Sequence, residues 1–466
     1  MKIKQIGNGL KERLSLIIPI SLLLFSKLLT WIAFPEPTLH PDSSSYRNGI
    51  FLNFELVSFL GNSGRPWPVT LFYALLPSDS IRILAQLVLS ACVWSYLILT
   101  VSHINFPRAN KILVGLLLSL IGSSPLVTQW DTTILAASLL VSTSVLITAL
   151  LIRMFFTETF KIVHIFALLI LVMLLFMQKL SNAPIVVFTL IVILIYTFKL
   201  SRKNIKFVVV LSSIFIFSLG TIVGVNINNS WEKSYSGTTL LWQLGGQSPS
   251  AIDFRHYLEK QSAVPECIYS DAPFEDLNIS IARISNSCAG AVSYLKEGFQ
   301  RDFIGFIVST PKSAIKLISI GIGASLASAS SHYGRSVSLF PSAATALISG
   351  DITPDLRFSG AQSQEEAYSE LKSGEPQWLH LPLLGLLLIA LLLLFIRMGQ
   401  PQKELLGSLF FIFANLIQLL VNYIVLPSEW VRQGAPFVVS LMAFSFVVIA
   451  RQLVGIHERN FLVDSR

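Results

Sequence analysis

The residues able to do chemistry gather in short stretches between long apolar runs. The stretch His40-Pro41-Asp42-Ser43-Ser44-Ser45-Tyr46 holds a carboxylate just after a proline. A carboxylate fixed there can accept a proton from an attacking hydroxyl. It can equally cap the helix that follows, a role Asp favours. In Gly64-Arg65-Pro66-Trp67-Pro68, the planar guanidinium of Arg65 suits a phosphate bound through two parallel hydrogen bonds, or a lipid headgroup reached by snorkelling. Gln129-Trp130-Asp131-Thr132 supplies a second acid, with helix capping again its plainer use. Lys179, and Arg432 with Glu429 in Ser428-Glu429-Trp430-Val431-Arg432, are suited to headgroups or to a ligand phosphate. The seven histidines are scattered without metal-ligand spacing. No nucleotide-binding loop or hydrolase elbow is visible, so an ATP-driven pump is not expected.

The elements that must position these residues are apolar helices. The chain has 466 residues, 53% hydrophobic and 13% charged, where a soluble domain of this size carries about 25% charge. Apolar runs predict about ten spans, near 14–34, 81–103, 112–127, 133–152, 162–178, 184–199, 207–225, 380–397, 405–425 and 436–454. The first run is too long for a signal-peptide core, carries Lys27 and ends at Phe34-Pro35, so it reads as a retained span. Basic residues set the sidedness. With the N-terminus cytoplasmic, Arg108 and Lys111, Arg153 and Lys161, Lys199 to Lys206, Arg397 and Lys403, and Arg451 to Arg466 all fall on the cytoplasmic side. The net charge of +8 is thereby explained by topology, and nucleic acid is not needed. Trp31, Trp130, Trp378 and Trp430 fall near span ends on the other side, where an indole prefers the interface.

Two outer segments exceed simple turns. The first, 35–80, contains the Asp42 and Arg65 stretches, with residues 53–57 suited to a surface helix. The second, 226–377, holds 15 of the 26 acidic and 11 of the 34 basic residues, as a soluble subdomain would. Its apolar stretch 303–328, interrupted by Pro311, Lys312 and Lys316, predicts a surface or re-entrant pair of helices, with a true span as the alternative. The chain thus divides into an N-terminal membrane module (1–225), an extracytoplasmic subdomain (226–377) and C-terminal membrane helices (378–466). Cys92 lies in an apolar run; Cys267 and Cys288 can form a disulfide if their region is extracytoplasmic.

The order of these motifs resembles a known family. A Pro-Asp-Ser-x-x-Tyr context in a long first outer loop, a Gly-Arg-Pro element before the second span, an acid in the second outer loop and Glu-x-x-Arg before the last span are similar to the GT-C membrane glycosyltransferases. Within these, the resemblance is to bacterial enzymes like the protein mannosyltransferases and the aminoarabinose transferases of lipid A. It covers the first 150 or so residues best and the final 40 less well. The resemblance implies an all-α fold with its active site on the periplasmic or extracellular face, both termini being cytoplasmic. It implies a polyprenyl-phosphate sugar as donor and a glycan, lipid or protein as acceptor. On that basis Asp42 is the base that activates the acceptor, and Asp131 serves the donor or a divalent metal (Mg or Mn) shared with Asp42. Arg65, Lys179 and Arg432 contact the lipid phosphate, with His40, Tyr46 and Glu429 lining the substrate site. The single acid of the first-loop motif departs from the Asp-Glu pair of the protein mannosyltransferases. Rival expectations are an O-antigen polymerase or ligase, and a secondary transporter or flippase of envelope lipids. The latter predicts internal repeats and broken spans; no repeat is visible, and Lys27 is the one obvious mid-span charge.

Overall fold

The computed structural model describes residues 16–37, 46, 67–157, 161–178, 182–198, 203–230, 251–261, 264–269, 288, 290, 293–294, 298–318, 381–396, 402–425 and 430–464. Each of the ten predicted spans contains a helix, and there is no β-strand among the described residues. The helices are α1 (Ile17–Ala33), α2 (Trp67–Ala74), α3 (Asp79–Val101), α4 (Arg108–Ser123), α5 (Pro125–Asp131), α6 (Ala136–Phe156), α7 (Ile162–Gln178), α8 (Ala183–Phe198) and α9 (Lys203–Ser230). They continue as α10 (Ala251–Glu259), α11 (Glu266–Tyr269), α12 (Phe299–Ser309), α13 (Leu381–Ile396), α14 (Gln402–Val425) and α15 (Trp430–Asp464).

Among the described residues, four helical stretches are long and apolar enough to cross a membrane: Asp79–Val101, Ala136–Phe156, Lys403–Ile424 and Gly434–Val454. Ile17–Ala33, Ile162–Gln178, Ala183–Phe198, Ile205–Leu219 and Gly385–Leu394 are shorter and equally apolar. Large side chains such as Phe25, Ile170, Phe215, Leu388 and Phe413 are exposed on the bundle's flanks. In water such a surface would aggregate; in lipid it is solvated. The described residues thus form an all-helical, membrane-embedded bundle.

The central helix is α6, buried along almost its whole length and packed against α3, α7 and α15. Small residues let its neighbours approach closely. A Cβ on Gly122 of α4 would meet Trp94 of α3 at 2.8 Å and Leu23 of α1 at 3.0 Å, and Ser119 donates to the Pro19 carbonyl at 2.7 Å. The predicted span at 112–127 is corrected at one end. Helix α4 stops at Ser123, Ser124 is extended (φ −72°, ψ 159°), and Pro125 opens the separate helix α5. A proline disfavours helical backbone at the residue before it and is well suited to a helix's first turn.

A smaller aromatic core lies in 251–318. Phe254 and Leu258 of α10, Ile268 of α11 and Phe299, Phe303 and Phe306 of α12 are buried together. Cys267 and Cys288 are joined by a disulfide, with Cα atoms 5.7 Å apart. The 303–328 stretch begins as a pair of helices: α12 ends at Ser309, Thr310 is its C-cap, and a second helix runs over 311–318. Residues 319–328 lie outside the described residues, as does 53–57.

Candidate functional site

One end of the bundle carries a buried polar cluster, and it begins with a lysine inside a helix. Lys27 lies six residues before the end of α1 and is almost fully buried. An ammonium in such surroundings needs a counter-charge. It finds one in Asp131, the last residue of α5, with Nζ 2.6 Å from Oδ2 and the carboxylate fully buried. The break at Ser124-Pro125 frees α5 from the direction of α4, and α5 ends on the carboxylate that Lys27 meets.

The segment after Asp131 is irregular, and side chains from two other helices hold its backbone. Gln86 of α3 donates from Nε2 to the Trp130 carbonyl at 3.2 Å and to the Thr133 carbonyl at 2.9 Å. The Tyr73 hydroxyl of α2 donates to the Leu135 carbonyl at 2.8 Å and accepts from the Leu135 N–H at 3.1 Å. Burial, with Tyr46 nearby, pushes the Tyr73 hydroxyl above the usual phenol range, so it stays neutral and keeps its proton to donate. Arg82 of α3 donates from Nε to the Tyr73 carbonyl at 3.1 Å and pairs with Asp79 at 2.6 Å. The Tyr46 ring meets Tyr73 edge-on, with centroids 6.4 Å apart. Tyr46 is buried and helical, and it is the last residue of the Asp42 stretch.

Of the residues singled out from sequence, the structure therefore brings Tyr46 and Asp131 to one end of the bundle, with Tyr73 and Leu135 between them. His40, Asp42, Arg65, Lys179 and Glu429 lie outside the described residues. Arg432 lies in the first turn of α15. Two expectations are corrected. Trp130 is fully buried, so its indole packs inside the protein and does not face headgroups. Asp131 does not cap the next helix: the residue preceding α6 is Leu135, and no side chain caps that end. Lys27 occupies Oδ2 of Asp131, so this carboxylate as it stands fits a metal ligand poorly. Among the described residues no group of three or more His, Cys, Asp or Glu could hold a metal ion.

Gln86 and Tyr73 were not singled out from sequence. A glutamine inside an apolar helix is a usable signal, since a buried amide needs partners; Tyr73 carries no such mark. A second polar group lies at this end of the bundle. Gln178 donates to Thr143 Oγ1 at 3.2 Å, Asn182 donates to the Leu175 carbonyl at 2.9 Å, and Gln418 accepts from the Ile185 N–H at 3.2 Å. The last two bonds satisfy backbone groups that the ends of α7 and α8 leave unpaired.

The opposite end is basic. Arg451 pairs with Glu404 at 3.3 Å, Lys403 donates to the Thr157 carbonyl at 3.3 Å, Lys111 to the Ser102 carbonyl at 3.1 Å, and Arg153 to the Tyr96 hydroxyl at 3.4 Å. The chain matches no protein-family model and no curated protein sequence.

Proposed function

We propose that the protein is a membrane glycosyltransferase of the GT-C kind, with about ten spans and both termini cytoplasmic. It would move a sugar from a polyprenyl phosphate to a glycan, lipid or protein acceptor at the extracytoplasmic face. The observation that carries this reading is the path Tyr46–Tyr73–Leu135 at the Asp131 end of the bundle, which ties the Asp42 stretch to the segment after α5. The basic residues at the other end support a cytoplasmic assignment for that end. The disulfide supports an oxidising compartment for 251–318.

In this reading Asp42 takes the proton of the acceptor hydroxyl as its oxygen attacks the anomeric carbon from the face opposite the phosphate. A new C–O glycosidic bond forms, the bond to the phosphate oxygen breaks, and polyprenyl phosphate leaves with the electron pair, inverting the configuration. Arg65, Lys179 and Arg432 stabilise the departing phosphate in a partly desolvated site. Asp131, neutralised by Lys27, acts as a positioning residue that anchors the segment to which Tyr73 is bonded. No step requires ATP, and none is routed through a metal.

The test is transfer by the purified full-length chain in detergent, from a labelled polyprenyl-phosphate sugar to an envelope glycan or lipid. Asp42→Asn is expected to slow transfer by about 100-fold or more, the usual contribution of a general base. Full transfer by a normally expressed Asp42→Asn chain rules this mechanism out. A second reading, a transporter or flippase of envelope lipids, is favoured by one observation, the buried Lys27–Asp131 pair. It predicts lipid translocation in proteoliposomes without any sugar transfer.

A further inference from the structure

Helix α12 is apolar on both faces. Phe299, Phe303 and Phe306 fill the aromatic core, yet Ile304 and Val308 on the other side are 63% and 74% exposed. In the following helix, Leu317 is buried while Ile315 is 65% exposed. Arg301 is exposed on the same side as Ile304 and Val308, so this face mixes a cation with large apolar side chains. Beside Ile315 the exposed Lys312 and Lys316 stand one turn apart, the arrangement of an interfacial helix whose cations reach toward headgroups.

The position of this hairpin decides what covers it. Phe413, Ile417 and Leu420 form an exposed stripe along α14, spaced so that they share one helix face. The next step of that stripe is Ile424, which packs against the aromatic core of 251–318. Ile307 and Ile318 pack against the buried core of the membrane bundle, and Leu317 belongs to it. This pair of helices therefore sits beside the end of the exposed apolar stripe of α14, where a span of that length would reach the edge of the bilayer.

We propose that 299–318 is an interfacial hairpin. It seats Ile304, Val308 and Ile315 in the headgroup–acyl boundary and binds anionic headgroup phosphates through Lys312 and Lys316. The occupant is the bilayer surface itself, and the inference does not depend on the transferase reading.

The experiment uses the full-length chain in nanodiscs, with Cys92, an exposed free thiol, replaced by serine. An environment-sensitive fluorophore is attached in turn at Ile304→Cys, Val308→Cys and Ile315→Cys, and at Glu259→Cys as an exposed control on α10. A lipid spin-labelled near its headgroup should quench the first three at least about twofold more than the control, and aqueous iodide should quench the control more. Lys312→Glu with Lys316→Glu should reduce the lipid quenching in anionic nanodiscs, and purely zwitterionic nanodiscs should do the same. Equal iodide quenching at all four positions overturns the proposal. Protection from both quenchers also overturns it, because a protein partner then covers the face. Quenching indifferent to lipid charge and to the two lysines overturns the headgroup contact.

Discussion

Lys27 and Asp131 stand 104 positions apart in sequence and 2.6 Å apart in space, sealed from solvent. Each charge has lost its hydration, and each is tolerable because the other is present. Removing one partner is therefore much worse than removing both. Asp131→Asn or Lys27→Met alone is expected to destabilise the protein by about 3–5 kcal/mol, and Lys27→Met with Asp131→Leu to recover most of that. Thermal unfolding in detergent, run as a double-mutant cycle, reads the difference; additive losses mean the pair is not coupled. Tyr73→Phe isolates the next link. It keeps the ring against Tyr46 but removes the hydroxyl that bonds the Leu135 carbonyl, leaving the Leu135 amide with the Thr133 carbonyl, at a cost of about 1–3 kcal/mol. If the transferase reading holds, this variant lowers kcat with little change in KM, because it loosens the Asp42 stretch without touching donor or acceptor. A proportional loss of folded protein with unchanged kcat per folded molecule would reduce Tyr73 to a structural role. Both charges were visible in the sequence, Lys27 as a misplaced cation and Asp131 as an acid between spans. Their pairing was not, because it depends on the break at Ser124-Pro125 that gives α5 its own direction.

The helices themselves were legible, because an apolar run in lipid has few alternatives to a helix that satisfies its own backbone. Their ends were less so. Hydropathy alone carries α4 past Ser124 into Pro125, Leu126 and Val127, since all three are apolar. The break is a backbone matter, set by the proline, and it produces the short helix that delivers Asp131. Close packing was equally hidden. A glycine in an apolar run reads as neutral, but Gly122 lies against Trp94 and Leu23, and Gly407 of α14 lies against Phe155 of α6. A Cβ at Gly407 would stand 2.5 Å from the Phe155 ring. Gly122→Leu and Gly407→Leu should each cost about 1–3 kcal/mol through forced separation of helices. Gly385 of α13, with nothing within 4 Å of its added Cβ, is the matched control, and Gly385→Leu should leave the melting temperature nearly unchanged. Equal shifts at all three positions would show that helix propensity and not packing sets the effect.

At the scale of the whole molecule the two ends of the bundle differ in kind. One end is basic and bonds its cations to helix-end carbonyls and to Glu404. The other holds the buried pair, the segment tied to Tyr73, and the disulfide-bearing core that packs against Ile424. Under the proposed orientation, that division answers two separate pressures. Cations are retained on the cytoplasmic side during insertion, and a disulfide persists only where thiols are oxidised. The two pressures predict the same orientation from independent features, so they can be tested independently. Reporter fusions after Lys203 and after Ser270 should report opposite sides of the membrane, with Lys203 cytoplasmic. In intact cells, Cys267 and Cys288 should resist a thiol-reactive polyethylene glycol until a reductant is added, and then shift the chain by two adducts. Cys267→Ser with Cys288→Ser should leave the bundle folded but make 251–318 more sensitive to added protease, because the constraint on a closed loop has gone. Fusions reporting the same side, or thiols that react without reductant, would place 251–318 in the cytoplasm. That outcome would remove the extracytoplasmic site, and with it the proposed transfer from a polyprenyl phosphate at that face.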